Sequence, residues 1–257
     1  MSMESKKVIQ FFFQKIFGIK IYLYCFGVYR ALLKIYFPDP YLKKFIMLAK
    51  KRDGDVLDIG CNVATYSIYF GKKMPDKYII GFEPVNTSYR IGTSLLRLFR
   101  VKNAIIKNEG LGKKNEKATM VTPYQQGVYM HGLSHIDDNA DAVYEETLYH
   151  KKEEVLFSTV DNYYAESGNR KIGAIKIDVE NHERFVIQGS TEVLSKERPI
   201  VLLELWDNHR RSFCEETMRN LGYTQMRIIG NKLAIADSVK ELNYFFIPNE
   251  FVESVNL

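Results

Sequence analysis

The stretch Val56-Leu57-Asp58-Ile59-Gly60-Cys61-Asn62-Val63-Ala64-Thr65-Tyr66-Ser67-Ile68-Tyr69-Phe70 decides the fold. Val56 to Ile59 reads as a buried strand, Gly60-Cys61-Asn62 as a tight turn, and Ala64 to Phe70 as a helix. Strand, glycine turn and helix in that order make a cradle for a nucleotide-like cofactor. Further on, Gly81-Phe82-Glu83-Pro84 closes a second strand, Tyr78 to Phe82. The Glu83 carboxylate there can accept hydrogen bonds from both hydroxyls of a ribose. Any parallel sheet needs an apolar strand and a glycine turn, and Glu83 at the next strand end tips the reading towards a cofactor.

A pyrophosphate turn requires Gly-x-Gly-x-x-Gly, because only glycines let the backbone approach the phosphates closely. This chain has Asp58, Gly60, Asn62, Ala64 and Ser67 instead. An aspartate at the strand end repels pyrophosphate and suits a cationic ammonium or sulfonium. The implied cofactor is S-adenosylmethionine rather than NAD, with Asp58, Gly60, Asn62, Ser67 and Glu83 as the candidate binding set. A dehydrogenase is the weaker reading for the same reason.

Three later segments follow at strand, helix, strand spacing: Ala174-Ile175-Lys176-Ile177-Asp178-Val179-Glu180-Asn181-His182-Glu183, then Val186 to Ser190, then Pro199-Ile200-Val201-Leu202-Leu203-Glu204. Together with the first two motifs they resemble the FkbM family of S-adenosylmethionine-dependent O-methyltransferases, over roughly Asp53 to Tyr223. The family's usual turn is Asp-x-Gly-x-Asn-x-Gly, followed later by Lys-x-Asp-x-Glu-Gly-x-Glu. Here Ala64 replaces the second glycine of the turn and Asn181 the glycine after Asp-x-Glu. Ala64 adds one methyl group and is expected to be tolerated, and Asn adopts left-handed backbone more readily than most residues. The resemblance implies a Rossmann-like methyltransferase fold of the α/β class, with a mostly parallel sheet and helices on both faces. It also implies O-methylation, of a sugar hydroxyl in a glycan or glycosylated metabolite on our reading. The contrasting reading is a catalytically silent cofactor-fold module serving as a membrane or partner adaptor, for which Ala64 and Asn181 are the sequence support.

The 257 residues, 46% hydrophobic, suffice for one full α/β domain and an appendage. We divide them into a helical extension, 1–50, and a methyltransferase domain, 51–257, with a β-rich insertion at about 113–161. Cys25, Cys61 and Cys214 are widely spaced and include no CxxC pair, which argues against a disulfide framework and a zinc site and fits a reducing, cytoplasmic setting. The net charge of +5 invites an anionic partner, but no RNA-binding motif or basic tail accompanies it, so nucleic acid is not expected.

Val8 to Phe37 is dense in Phe, Ile, Leu and Tyr, interspersed with Lys15, Lys20, Arg30 and Lys34, and contains no acid. Charged and amide residues interrupt it too often for a confident transmembrane span, and no cleavage site follows a compact apolar core. Two readings stand: a helix in the headgroup region at the inner face of an anionic membrane, or a helical cap over the domain or a dimer face. Pro38-Asp39-Pro40 breaks this helix, and a second runs from Tyr41 to Lys50.

In the core, Asn86 to Arg100 is expected to be helical and Asn103 to Lys107 a third strand. Ala118 to Thr122 and Glu154 to Ser158 are the strands of the insertion. Asp161 is expected to cap the short helix Asn162 to Glu166. Ser212 to Leu221 is a helix, and Tyr223 to Ile229, Leu233 to Ala236 and Tyr244 to Ile247 form an antiparallel edge.

Methyl transfer to oxygen requires alignment of donor and acceptor and removal of the hydroxyl proton. His182 is the first candidate base, with Asp178 and Glu180 beside it where cofactor and acceptor meet. His182 could equally pack at a helix start, and His131 or His135 in the insertion could serve instead. Asp178, Glu180 and Glu204 could hold a divalent cation through hard oxygens, a reading less favoured than Asp178 orienting the cofactor and Glu180 bonding the substrate.

Overall fold

In a computed structural model of the chain, residues 3–125, 128–129, 134–136, 149–206, 209–230, 232–236 and 241–255 are described. In chain order the first elements are α1 (Met3–Tyr36), α2 (Pro40–Lys50), β1 (Asp55–Ile59), α3 (Thr65–Lys73), β2 (Ile79–Phe82), α4 (Asn86–Leu98) and β3 (Ala104–Lys107). The insertion follows as β4 (Gly110–Leu111), β5 (Glu116–Gln125), β6 (Val128–Tyr129), β7 (His135–Ile136) and β8 (Tyr149–Ser158). Then come α5 (Val160–Glu166), β9 (Ile172–Ile177), α6 (Glu183–Gln188), α7 (Thr191–Lys196), β10 (Ile200–Glu204) and α8 (His209–Asn220). The chain closes with β11 (Tyr223–Ile229), β12 (Lys232–Ile235), β13 (Asn243–Pro248) and α9 (Val252–Val255).

The main sheet has the order β12-β11-β13-β10-β9-β1-β2-β3. Strands β3, β2, β1, β9 and β10 pair in parallel, while β13 is antiparallel to both neighbours and β12 to β11. Every residue of β1 is buried, and the two-residue period of a strand divides their side chains between two cores. Val56, Ile79, Ala174 and Ile200 pack beneath α1 to α4. Leu57, Ile59, Ile175 and Ile177 pack on the other face with α5 to α8. The expected layering, with helices on both faces, is therefore present.

The insertion forms a second sheet, β4-β8-β5-β6, with β7 paired to β5. Its long hairpin, β5 against β8, extends both strands anticipated from sequence. The two sheets are tied where Glu153 of β8 accepts the backbone N–H of Asn86 at 2.9 Å.

Three local expectations are corrected. Ala64 does not begin α3 in helical geometry; it is the residue before it and adopts a left-handed backbone, φ 61°. Asp161 does not cap α5, because the Thr159 hydroxyl already accepts the Asn162 N–H at 2.9 Å. Asp161 reaches across to α7 instead, accepting the N–H groups of Glu192 (3.1 Å) and Val193 (2.9 Å). Lastly, α1 is two helical pieces joined at Gly18, whose φ of 75° and ψ of 162° interrupt the helix.

The second piece of α1 packs on α3 and α4, so the extension is built onto the core. Gly27 permits this contact, since a Cβ there would come within 2.4 Å of Leu95 Cδ1. Before the kink, Gln14 pairs with the backbone of Tyr129, accepting its N–H at 3.0 Å and donating to its carbonyl at 3.4 Å. The extension thus touches both the helical layer over the main sheet and the insertion.

Candidate active site

Strand order reverses between β1 and β9: from β1 the chain proceeds to β2 and β3, and from β9 to β10 on the other side. Loops leaving the ends of these two strands diverge there and leave a crevice. A cavity of about 360 Å³ occupies it, large enough for a cofactor-sized ligand. Gly60, Asn62, Tyr66 and Glu83 line one part, and Asp178, Glu180, His182 and Glu204 another. The insertion contributes Met120 and Phe157, and α1 contributes Phe26 and Arg30.

Gly60 is fixed by packing as well as by dihedral. Its φ is 78°, and a Cβ would lie 1.8 Å from the Asp178 carbonyl oxygen. The glycine therefore lets the β1 turn press against the β9 loop. Both loops hold non-glycine residues in left-handed backbone: Asn62 at 49° and Ala64 at 61°, Glu180 at 47° and Asn181 at 71°. Such conformations are costly and concentrate at functional sites. Asn181 is braced, accepting from Arg210 Nη1 at 2.6 Å and donating its N–H to Glu183 at 3.0 Å.

Glu83 lines the cavity while its two oxygens accept the N–H groups of Asn62 and Val85, each at 2.9 Å. Burial pushes its pKa up to about 7 against the pull of these donors. The same carboxylate thus shapes the turn and faces the crevice, where remaining lone pairs can accept hydroxyl groups.

Asp58 and Ser67 have a different place. Asp58 is fully buried, and neither residue lines the cavity. Its side chain points into the layer under the helices, accepting the Ser67 hydroxyl at 2.6 Å, with Lys176 Nζ 4.0 Å away. Gly81, opposite Asp58 on β2, makes the space, because a Cβ there would crowd Ser67 Oγ at 3.1 Å and Cys61 Sγ at 2.8 Å. The expected direct contact of these two residues with a cofactor gives way to a buried charge behind the turn.

Lys176, which opens the Lys-x-Asp-x-Glu segment, was not among the candidate site residues. It is opposite Asp58 on β9, buried, and bonds Asp178 at 2.9 Å. Burial works against its charge, but Asp178 and Asp58 together overcome that and raise its pKa. Its ammonium also lies 4.1 Å from the Tyr66 ring centroid, and Lys34 of α1 lies 3.9 Å from the same centroid. A lysine between isoleucines in a buried strand is itself a signal, since an internal ammonium needs partners.

The candidate bases differ in character. Burial, then the neighbouring carboxylates Asp178, Glu204 and Glu183, raise Glu180 to about 8. Burial and Asp178 raise Glu204 to about 7. His182 moves the other way, to about 3, through burial and the cations Arg210, Arg184 and Lys113. Its ring sits near Phe157 and Phe185, with centroids 5.3 and 4.6 Å apart. An imidazole so reluctant to take a proton is a weak base, whereas a carboxylate near 8 is a strong one. His131 lies outside the described residues, and of His135 only the backbone is described, paired with Val121. Among the described residues, no three His, Cys, Asp or Glu side chains converge as a metal site. Cys61 is buried, and burial and Asp58 raise its thiol well above the usual range, so it is an inert packing residue.

A crevice at the reversal of a parallel sheet, an acid closing the second strand and a close-packed glycine turn are features of the Rossmann-like α/β class, to which methyltransferase domains belong. The chain belongs to the FkbM methyltransferase domain family, which matches residues 54–244. No curated protein sequence matches it significantly. Among solved structures, the methyltransferase FkbM from Methylobacillus flagellatus KT shares 11% identity at a TM-score of 0.51, covering 83% of this chain and 47% of its own. The chain thus spans about half the length of that protein. Looser likenesses are the cofactor-bound Rv0187 from MTB (10% identity, TM-score 0.48, 94% and 96% covered) and the TDP-rhamnose 3'-O-methyltransferase CalS11 of calicheamicin biosynthesis (11%, 0.45, 91% and 85%). The first likeness supports the fold deduced from the sheet order.

Proposed function

We propose that this protein is an S-adenosylmethionine-dependent O-methyltransferase whose acceptor is a hydroxyl group, in our reading a sugar hydroxyl of a glycan or glycosylated metabolite. The observation that carries the proposal is a single crevice with Glu83 and the Gly60–Asn62 turn on one side and Asp178, Glu180 and Glu204 on the other. The residues fit the cofactor: Glu83 offers acceptors for ribose hydroxyls, Gly60 lets the β1 turn and the β9 loop close together around the crevice, and Asp178 supplies negative charge near a sulfonium. When bound, the cofactor supplies an electrophilic methyl group. Asp58 acts from below, its charge shared with Lys176, and Lys176 holds Asp178 in orientation.

Glu180 is the residue assigned to remove the acceptor proton, because it faces the cavity and its carboxylate holds a proton near 8. His182 forms the wall beside it. The test is adenosylhomocysteine release from S-adenosylmethionine over a panel of saccharides, with cofactor affinity measured separately by calorimetry. Turnover on a hydroxyl acceptor, lost in Glu180→Gln at unchanged cofactor affinity, supports the reading. An absence of cofactor binding by the parent protein overturns it.

A further inference from the structure

The second piece of α1 has two apolar sides. One carries Leu23, Gly27 and Ala31 and is buried against the core. The other carries Ile21, Leu32 and Tyr36, exposed to 51, 41 and 70%, together with Tyr29. Before the kink, Ile16 and Phe17 continue the exposed apolar surface. By length and composition Phe12–Tyr36 could cross a bilayer. Crossing would strip the helix from α3 and α4, remove the close contact at Gly27, and take the buried Lys34 away from Tyr66. Lying in the interface, by contrast, keeps the packed side on the protein and gives the open side to acyl chains.

Charge selects the occupant. Residues 1–50 hold nine Lys and Arg against two acids, a local charge of +7 that exceeds the +5 of the whole chain. Lys20 on α1 and Lys43 and Lys50 on α2 are exposed. A second copy of this segment would bring like charges together, whereas an anionic bilayer complements them.

We propose that α1 is an interfacial anchor that seats the protein on an anionic membrane, with the active-site cavity opening beside the lipid. Phe26 and Arg30 carry the geometric link, because both line the cavity and both are exposed on this helix. The acceptor hydroxyl is then one carried by a lipid in the headgroup layer. This last step rests on the methyltransferase reading, whereas the docking itself does not.

The experiment is flotation of the full chain with vesicles of phosphatidylcholine alone and of equal parts phosphatidylcholine and phosphatidylglycerol. The parent protein is expected to float with the anionic vesicles, at least tenfold more than with the neutral ones, and to be released by high salt. The triple variant Ile21→Ser, Leu32→Ser, Tyr36→Ser is expected to lose at least tenfold in bound fraction. Lys20→Glu with Lys43→Glu is expected to weaken binding without touching the apolar face. Thermal unfolding and cofactor calorimetry on every variant show that the fold is intact. No flotation of the parent, equal flotation with neutral vesicles, or an unaffected triple variant overturns the proposal. A parent dimer that the triple variant dissociates, without vesicle binding, assigns the face to a second copy and overturns it as well. Cofactor binding without flotation refutes the anchor alone; flotation without cofactor binding refutes the enzymatic reading and the lipid-borne acceptor while leaving the anchor standing.

Discussion

Glu83→Gln separates what the carboxylate does for the fold from what it does for a ligand: stability relative to the parent should rise with pH while cofactor affinity falls. Glu83 is 6% exposed, and burial holds its pKa at about 7 against an ordinary 4.5. Between those values the folded protein keeps a proton that the unfolded chain has released. Stability associated with this group is therefore fully present below about 4.5 and is lost as pH rises towards 7. At about 1.4 kcal/mol per unit, the loss above pH 7 is of order 3 kcal/mol. Glutamine is neutral at every pH, but its amide nitrogen cannot accept, so one of the two N–H groups of Asn62 and Val85 loses its acceptor. The variant should lie about 1–3 kcal/mol below the parent near pH 4.5, where one N–H is left without an acceptor, and should regain about 3 kcal/mol relative to it by pH 8, a change of several degrees in the Tm difference. Affinity for S-adenosylmethionine should fall, because charge-assisted bonds to the ribose are lost. One such bond is worth about 1.5–3 kcal/mol, or roughly 10- to 150-fold in Kd. Scanning calorimetry at the two pH values and isothermal titration at pH 8 measure both. A variant that loses stability relative to the parent as pH rises, or that binds the cofactor as tightly, refutes the reasoning.

Gly60→Ala places a Cβ 1.8 Å from the Asp178 carbonyl at a φ of 78°, so urea unfolding should show a loss of about 2–4 kcal/mol and calorimetry no cofactor binding. Lys176→Met leaves Asp58 and Asp178 without their shared cation and should cost about 3–5 kcal/mol; adding Asp58→Asn should recover part of this, which a double-mutant cycle reads directly. For the parent enzyme, kcat/KM should rise with pH and level off above about 8, because Glu180 accepts a proton only once ionised; a profile that turns over near 3, following His182, would move the base to the imidazole. Glu180→Gln should lower kcat by at least about 100-fold, with cofactor affinity changed little.

Four strands of the main sheet, β1, β2, β9 and β10, were legible because each is a short apolar run ending at a turn glycine or an acid: Gly60, Glu83, Asp178 and Glu204. Such runs specify burial on both faces, which only a parallel layer between helices supplies. What sequence could not resolve was the side to which each polar residue turned. Asp58 looked like a cavity residue, yet the alternation along β1 directs it with Val56 towards the helices, and the register then sets Lys176 opposite it. Arg30 and Phe26 were unreadable as site residues because they arrive from a helix remote in sequence, and its route over the crevice depends on the packing of Gly27 against Leu95. Asp161 illustrates a similar limit: its sequence neighbour α5 already had a cap in Thr159, so the carboxylate served α7, 30 residues away.

The two departures from the family's glycine pattern bear on whether the crevice still serves a cofactor. A left-handed alanine costs about 1–2 kcal/mol, so a residue kept there must be held by its surroundings. Ala64 stays at φ 61°, completely buried, and Asn181 at 71°, braced through Arg210 and Glu183. Both hold the geometry a glycine would adopt, and both lie in the loops that meet where Gly60 presses on Asp178. The substitutions thus retain the shape of the crevice at an energetic cost, so they do not argue for a silent module.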